Sequence, residues 1–227
     1  EAYLEATYLG PNYAEAQYGL GWSYFQLKEY DKALLPLKIA VKIEPKMVAA
    51  HFTLGKVWAM LDKHRSAIDE YQNTLAITPI SPDVHFYLGQ SYTSLNMYNE
   101  AVKAYNVTLR LSPNYFEAYI GIGKAYINSG KNNEAIPPFR NAIGINPLSL
   151  EAYNNLGLAY TNIGDHDKAL VSYVEVARID FRNPVAHYKA GVAYTKIDKK
   201  LKAIKKFEEA IRLNESFPEA HFNIAWL

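Results

Sequence analysis

Six histidines are the first residues to examine for chemistry, because imidazole acts as base, proton shuttle or metal ligand near neutral pH. Four of them, His51, His85, His187 and His221, share one register, each four residues before a recurring glycine or its equivalent position. Tyr119 and Tyr153 fill that register elsewhere. A position that accepts either histidine or tyrosine is a packing position, so a core or interface role is expected for these rings. His64 and His166 fall in turns, and metal-site spacing such as His-x-x-x-His is missing. The chain has no cysteine, which excludes disulfides, thiol nucleophiles and cysteine-type zinc sites. No glycine-rich phosphate loop or Gly-x-Ser-x-Gly elbow occurs, and the acidic residues are spread as ordinary solvated charges. No catalytic, metal or cofactor site is expected, and no enzyme.

Charge offers a second kind of chemistry. Lys196, Lys199, Lys200, Lys202, Lys205 and Lys206 crowd together against the single Asp198. Such a cluster suits an acidic partner, although a solvated helix face balanced by Glu208 and Glu209 explains it too. The aromatic interleaving of a single-strand nucleic-acid platform is absent there, so nucleic acid is not expected. Over the full 227 residues the formal net charge is +1, too small for a strong global field. No apolar run approaches the ~20 residues that a membrane span needs. The cytoplasm is the expected compartment.

The elements that must position these residues are set by a repeat. Gly21, Gly55, Gly89, Gly123, Gly157 and Gly191 recur every 34 residues, and Ala33, Ala67, Ala101, Ala135, Ala169 and Ala203 keep the same interval. Tyr24, Trp58, Tyr92, Tyr126, Tyr160 and Tyr194 follow each glycine by three residues. Another large column runs Tyr3, Leu37, Tyr71, Tyr105, Phe139, Tyr173 and Phe207. Pro11, Pro45, Pro79, Pro113 and Pro147 close successive units. A period of this length means an array whose units bury their apolar faces only by stacking.

Each unit reads as two helices broken by a turn. Glycine inside a helix costs about 0.5–1 kcal/mol against alanine, so six of them need a packing reason. Close backbone approach, answered by the alanine column, is the simplest. Asp31, Asn99, Asn133 and Asp167 are the expected N-caps of second helices. Gly130 and Gly164, and with them Asn96, fall where first helices should stop in a left-handed turn. Pro36, Pro137 and Pro138 lie about a turn inside second helices, where a kink or simple exposure is expected.

The pattern Leu-Gly-x-x-Tyr, then Ala, then Tyr or Phe, then Pro resembles the tetratricopeptide repeat (TPR) family. It stands cleanly in Leu156-Gly157, Tyr160, Ala169 and Tyr173. The resemblance implies an all-α, right-handed superhelical solenoid forming a single array over 1–227. Full repeats cover 14–47, 48–81, 82–115, 116–149, 150–183 and 184–217, with partial repeats at 1–13 and 218–227. The open ends suggest a fragment of a longer array, or homo-oligomerisation through those ends.

The resemblance also implies a concave groove, lined by first helices, that holds an extended peptide or a partner helix. The groove residues would be Tyr18, Trp22 and Phe25, then Phe52 and Lys56, then Phe86, Tyr87 and Gln90. Further along follow Ile120 and Lys124, then Asn154, Asn155 and Leu158, then Tyr188 and Lys189. Aromatics edged by Lys56 suit an interface anchor. The carboxylate clamp of co-chaperone TPRs is not reproduced: its best frame here, Ile120, Lys124, Asn155, Val185 and Lys189, lacks the first Lys, first Asn and final Arg. The asparagine ladder of glycosyltransferase arrays is absent too. The expected function is a non-catalytic protein-interaction scaffold in a multiprotein assembly. A substrate-selecting segment of a larger enzyme and a self-assembling coat are the alternatives.

Overall fold

The glycine and alanine columns organise described residues that are helical almost throughout. A computed structural model describes residues 13–227; the expected partial second helix over 1–10, with Tyr3 and Pro11, lies outside them. Six first helices alternate with six second helices. They are α1 (Ala14–Gln26), α2 (Tyr30–Ile43), α3 (Val48–Met60), α4 (His64–Ile77), α5 (Pro82–Ser94), α6 (Tyr98–Leu111), α7 (Phe116–Asn128), α8 (Asn132–Ile145), α9 (Leu150–Asn162), α10 (His166–Ile179), α11 (Pro184–Lys196) and α12 (Lys200–Leu213). The last helix is α13 (Pro218–Trp226). The described residues contain no strand.

Two compact units are present, Glu1–Gly121 and Ile122–Leu227, and their boundary falls inside α7. In the first unit the hairpins α1–α2, α3–α4 and α5–α6 pack in succession. In the second, α8 packs on α9, the hairpins α9–α10 and α11–α12 follow, and α13 lies against α12.

The recurring glycines make room for the large second-helix column. A Cβ at Gly21, Gly55, Gly89, Gly157 or Gly191 would stand 2.5–2.7 Å from Leu37, Tyr71, Tyr105, Tyr173 or Phe207 respectively, and at Gly123 closer still to Phe139. Each glycine therefore opens the socket for one large side chain within its own hairpin. Leu37, Phe139 and Phe207 are completely buried there. The six alanines are also buried, at 0–1% exposure.

Every first helix of the six hairpins ends at a left-handed residue. These are Lys28, Asp62, Asn96, Gly130, Gly164 and Asp198, with φ between 55 and 79°. The following N–H then reaches back to the carbonyl of Tyr24, Trp58, Tyr92, Tyr126, Tyr160 or Tyr194, at 2.8–3.0 Å. This double-bonded C-terminal motif satisfies carbonyls that the helix end leaves orphaned. Asn96, Gly130 and Gly164 were legible as such turns. Asp62 and Asp198 adopt the same conformation with a residue type that visits it more often than most, and Lys28 adopts it without one.

The expected second-helix N-caps require correction. The capping positions are Glu29, Lys63, Met97, Lys131, Asp165 and Lys199, and only Asp165 accepts a backbone N–H, that of Lys168 at 3.2 Å. Asp31, Asn99, Asn133 and Asp167 stand two residues further in, because the left-handed residue brings the helix start forward. There Asp31 and Asp167 favour the positive end of the helix dipole. Ser81, Ser149 and Asn183 cap first helices instead. The second helices run on through their prolines. Pro36 is buried, and Pro137 is exposed.

Candidate functional site

In the first unit, helical spacing sets the aromatic face. Tyr18, Trp22 and Phe25 lie at i, i+4 and i+7 along α1, and Phe52 and Lys56 at i, i+4 along α3. The Lys56 ammonium stands 4.8 Å from the centre of the Phe52 ring, 4.9 Å from Phe25 and 5.9 Å from Tyr87. A cation over ring faces is held by their quadrupoles, with about 2 kcal/mol available when water is excluded. Burial pushes the Lys56 amine down, and the Asp83 carboxylate opposes that shift. Three expected groove aromatics therefore converge on the expected groove lysine.

Behind this cage the rings continue. Tyr87 meets Phe52 edge-on at 5.5 Å and Phe86 at 5.6 Å, and Phe86 meets Tyr115 at 5.0 Å. Phe86, at 8% exposure, faces this core and not solvent. Tyr115 donates to Asp83 Oδ1 at 3.0 Å, and burial followed by that hydrogen bond pushes its phenol above its ordinary range. Trp22 remains 43% exposed, and Gln90 is exposed. Asp83 and Tyr115 are members of the site that sequence reasoning missed. Tyr115 had a signal, since it shares the register of the caps Ser81, Ser149 and Asn183. Where that register carries an aromatic it stacks on a ring of the preceding first helix, Tyr115 on Phe86 and Phe217 on Tyr188 at 5.2 Å.

In the second unit the expected residues are engaged differently. Lys124 pairs with Glu151. Asn155 donates to the Glu151 carbonyl at 2.9 Å and Asn154 to that of Leu150 at 3.0 Å, so both amides are turned back on α9. The Asn154 Oδ1 accepts from Lys189 at 2.9 Å, and Lys189 lies 5.8 Å from the Tyr173 ring. Burial pushes the Lys189 amine down. Tyr188 packs on Phe207 at 5.7 Å. In the lysine cluster, Lys206 pairs with Glu209 at 3.1 Å, and Lys196, Lys199, Lys200, Lys202 and Lys205 are exposed.

The histidine register has a structural task. Nε2 of His51, His187 and His221 contacts the carbonyl six residues earlier, of Pro45, Phe181 and Glu215, at 2.9–3.1 Å. Nδ1 of His51 lies 2.6 Å from Glu70, and that of His187 lies 2.7 Å from Glu209. These rings tie a first helix to the turn before it and to its own second helix. Among the described residues no group of three or more His, Asp or Glu side chains could hold a metal ion. Among them, too, no helix is long and apolar enough to cross a membrane.

Family models described as TPR repeat match residues 89–130 and 123–164. Models described as tetratricopeptide repeat match 150–183 and 184–217, and 1–48. No curated protein matches the chain significantly. Among solved structures, MamA is 25% identical, with a TM-score of 0.70 over 77% of this chain and 96% of its own. YrrB, described as a TPR protein with an unusual peptide-binding site, is 20% identical, with a TM-score of 0.69 over 82% and 96%. PilF of Pseudomonas aeruginosa is 19% identical, with a TM-score of 0.72 over 94% and 97%. Unbroken columns, helical hairpins closed by left-handed turns and these matches agree, and the chain belongs to the tetratricopeptide repeat family.

Proposed function

We propose that this chain is a non-catalytic protein-interaction scaffold whose first unit docks a peptide or partner helix on the face made by α1, α3 and α5. The observation that carries this reading is the caged Lys56, with the exposed Trp22 three residues before Phe25 on α1. Phe52 and Tyr87 pack on each other, Phe25 packs on Tyr30, and the ammonium stands over all three rings, so a partner would meet a pre-ordered surface and lose little side-chain entropy there. Large rigid aromatics with a polar neighbour are the residue types that dominate interface energetics. We read the repeats over 1–227 as one array, because the 34-residue period crosses the unit boundary from Gly89 to Gly123 to Gly157 without insertion.

Affinity capture from the source lysate tests this with Trp22→Ala, using Leu35→Ala as the control. Leu35 is a 67% exposed residue of the second helix α2. Lys56 itself is a poor choice, since reversing its charge would break the cage. Proteins retained by wild type and by Leu35→Ala but lost with Trp22→Ala are the expected result. Identical capture by all three would remove the docking site from this face.

A further inference from the structure

The second unit contains an opening that its own side chains leave unfilled. A cavity of about 180 Å³ lies between α9, α10 and α11. Tyr173, Val192 and Ala193 give it apolar walls, and Lys189, Lys196 and His166 stand around it. Apolar cavities of about 150 Å³ accept a benzene-sized guest, so one ring or branched aliphatic side chain fits here.

The charges around the opening indicate what else the guest must bring. Lys189 is half-buried, and its hydrogen-bond partner is the neutral amide oxygen of Asn154, not a carboxylate. Burial weakens its hold on the proton, as expected for an ammonium stripped of water without a counter-ion. Lys196, on the same cavity, begins the lysine cluster. Lys199 and Lys200 continue it at the start of α12, whose first turn has no acidic residue. Positive charge is thus placed at the helix end that already carries a positive dipole, where it lowers stability. Leu201 stands among these lysines at 79% exposure.

We propose that this cavity is a docking site for an acidic segment of a partner protein. One large apolar side chain enters beside Tyr173 and Val192, and flanking carboxylates meet Lys189, Lys196 and the lysines that follow. Nucleic acid and anionic lipid would use the lysines but have no need of an apolar hole of this size. The inference accepts the scaffold reading above but rests on a different unit and different residues, so either can fail alone.

The test is fluorescence anisotropy of the full chain with a labelled peptide of glutamates around one phenylalanine. The comparison probes are the same peptide with glycine at the phenylalanine and a labelled oligothymidylate. Wild type is expected to bind the first peptide with a Kd that weakens at least tenfold when phenylalanine is removed. Lys196→Glu with Lys200→Glu, both exposed positions, should weaken it at least tenfold more while the helical melt stays in place. Val192→Trp, which fills the cavity, should remove the preference for phenylalanine but keep the salt-dependent binding. No binding by wild type overturns the proposal, as does equal binding of both peptides. Tighter binding of the oligothymidylate, lost in the lysine variant, would assign the cluster to nucleic acid and overturn it too.

Discussion

Each unit half-buries a lysine over aromatic rings, and the two lysines end in opposite situations. Lys56 is enclosed by Phe25, Phe52 and Tyr87, with the Asp83 carboxylate near enough to offset part of its desolvation. Lys189 has one ring, one neutral amide oxygen and an adjoining cavity. The repeat frame is the same in both, so the contrast comes from the variable positions. Where the next first helix supplies Tyr87 the face closes on itself, and where smaller or polar residues stand it stays open. Columns build the hairpins, and the residues between columns decide what each hairpin can bind.

The contrast has energetic consequences, of which alkaline unfolding is the largest. Burial pushes the Tyr105 phenol up to about 12, and Tyr71 and Tyr115 are raised in the same unit. A phenol that holds its proton more tightly when folded contributes stability that is complete below pH ~10 and lost as pH rises towards 12. For Tyr105 alone the loss is about 2–3 kcal/mol at 1.36 kcal/mol per pKa unit. Denaturation followed by circular dichroism and by phenolate absorbance should show Tyr105→Phe flattening this pH dependence.

Next in size is the glycine socket. Gly55→Ala drives a Cβ to 2.5 Å from the fully buried Tyr71 ring and should cost about 2–3 kcal/mol. Gly157→Ala makes the same intrusion on Tyr173, but that ring borders the cavity and can move into it. A cost nearer 1 kcal/mol is expected there from thermal melts. Equal costs at both sites would contradict the filled-versus-open contrast.

A smaller effect concerns the tyrosine hydroxyls. Tyr105 and Tyr173 lie 3.3 and 3.4 Å from the hydroxyls of Thr93 and Thr161. The equivalent residue beside Tyr71 is Ala59, and the Tyr71 hydroxyl is buried with no protein partner. Tyr71→Phe should therefore be neutral or stabilise by up to about 1 kcal/mol, whereas Tyr173→Phe should lose about 0.5–1 kcal/mol. The least effect is expected at the left-handed turns. Asp62→Gly removes a side chain from a φ of 59° and should raise stability by about 0.5–1 kcal/mol in denaturant titration.

The hairpins were legible because their determinants recur. One glycine every 34 residues, with one large and one small residue at fixed offsets, repeats the same packing solution six times. Sequence spacing shows that small residues alternate but not which large side chain each glycine leaves room for. The caps were misplaced for a related cause. A left-handed Lys28 leaves no compositional mark, so the cap one residue later could not be seen. Phe25, Phe52, Lys56 and Tyr87 followed from the family resemblance, and the structure brings them together. Phe86 followed from it too but is drawn inward by Tyr115. The cavity beside Tyr173 had no sequence signature, because it arises from what three helices fail to fill.

Photo-crosslinking addresses the docking face most directly. Benzoylphenylalanine placed at Trp22 on α1, with Leu35 on α2 as the reference position, would be irradiated in cells of the source organism. Discrete crosslinked products from position 22, absent from position 35, are the expected result. Products of equal yield from both positions, or from position 35 alone, would contradict a docking face on the first helices.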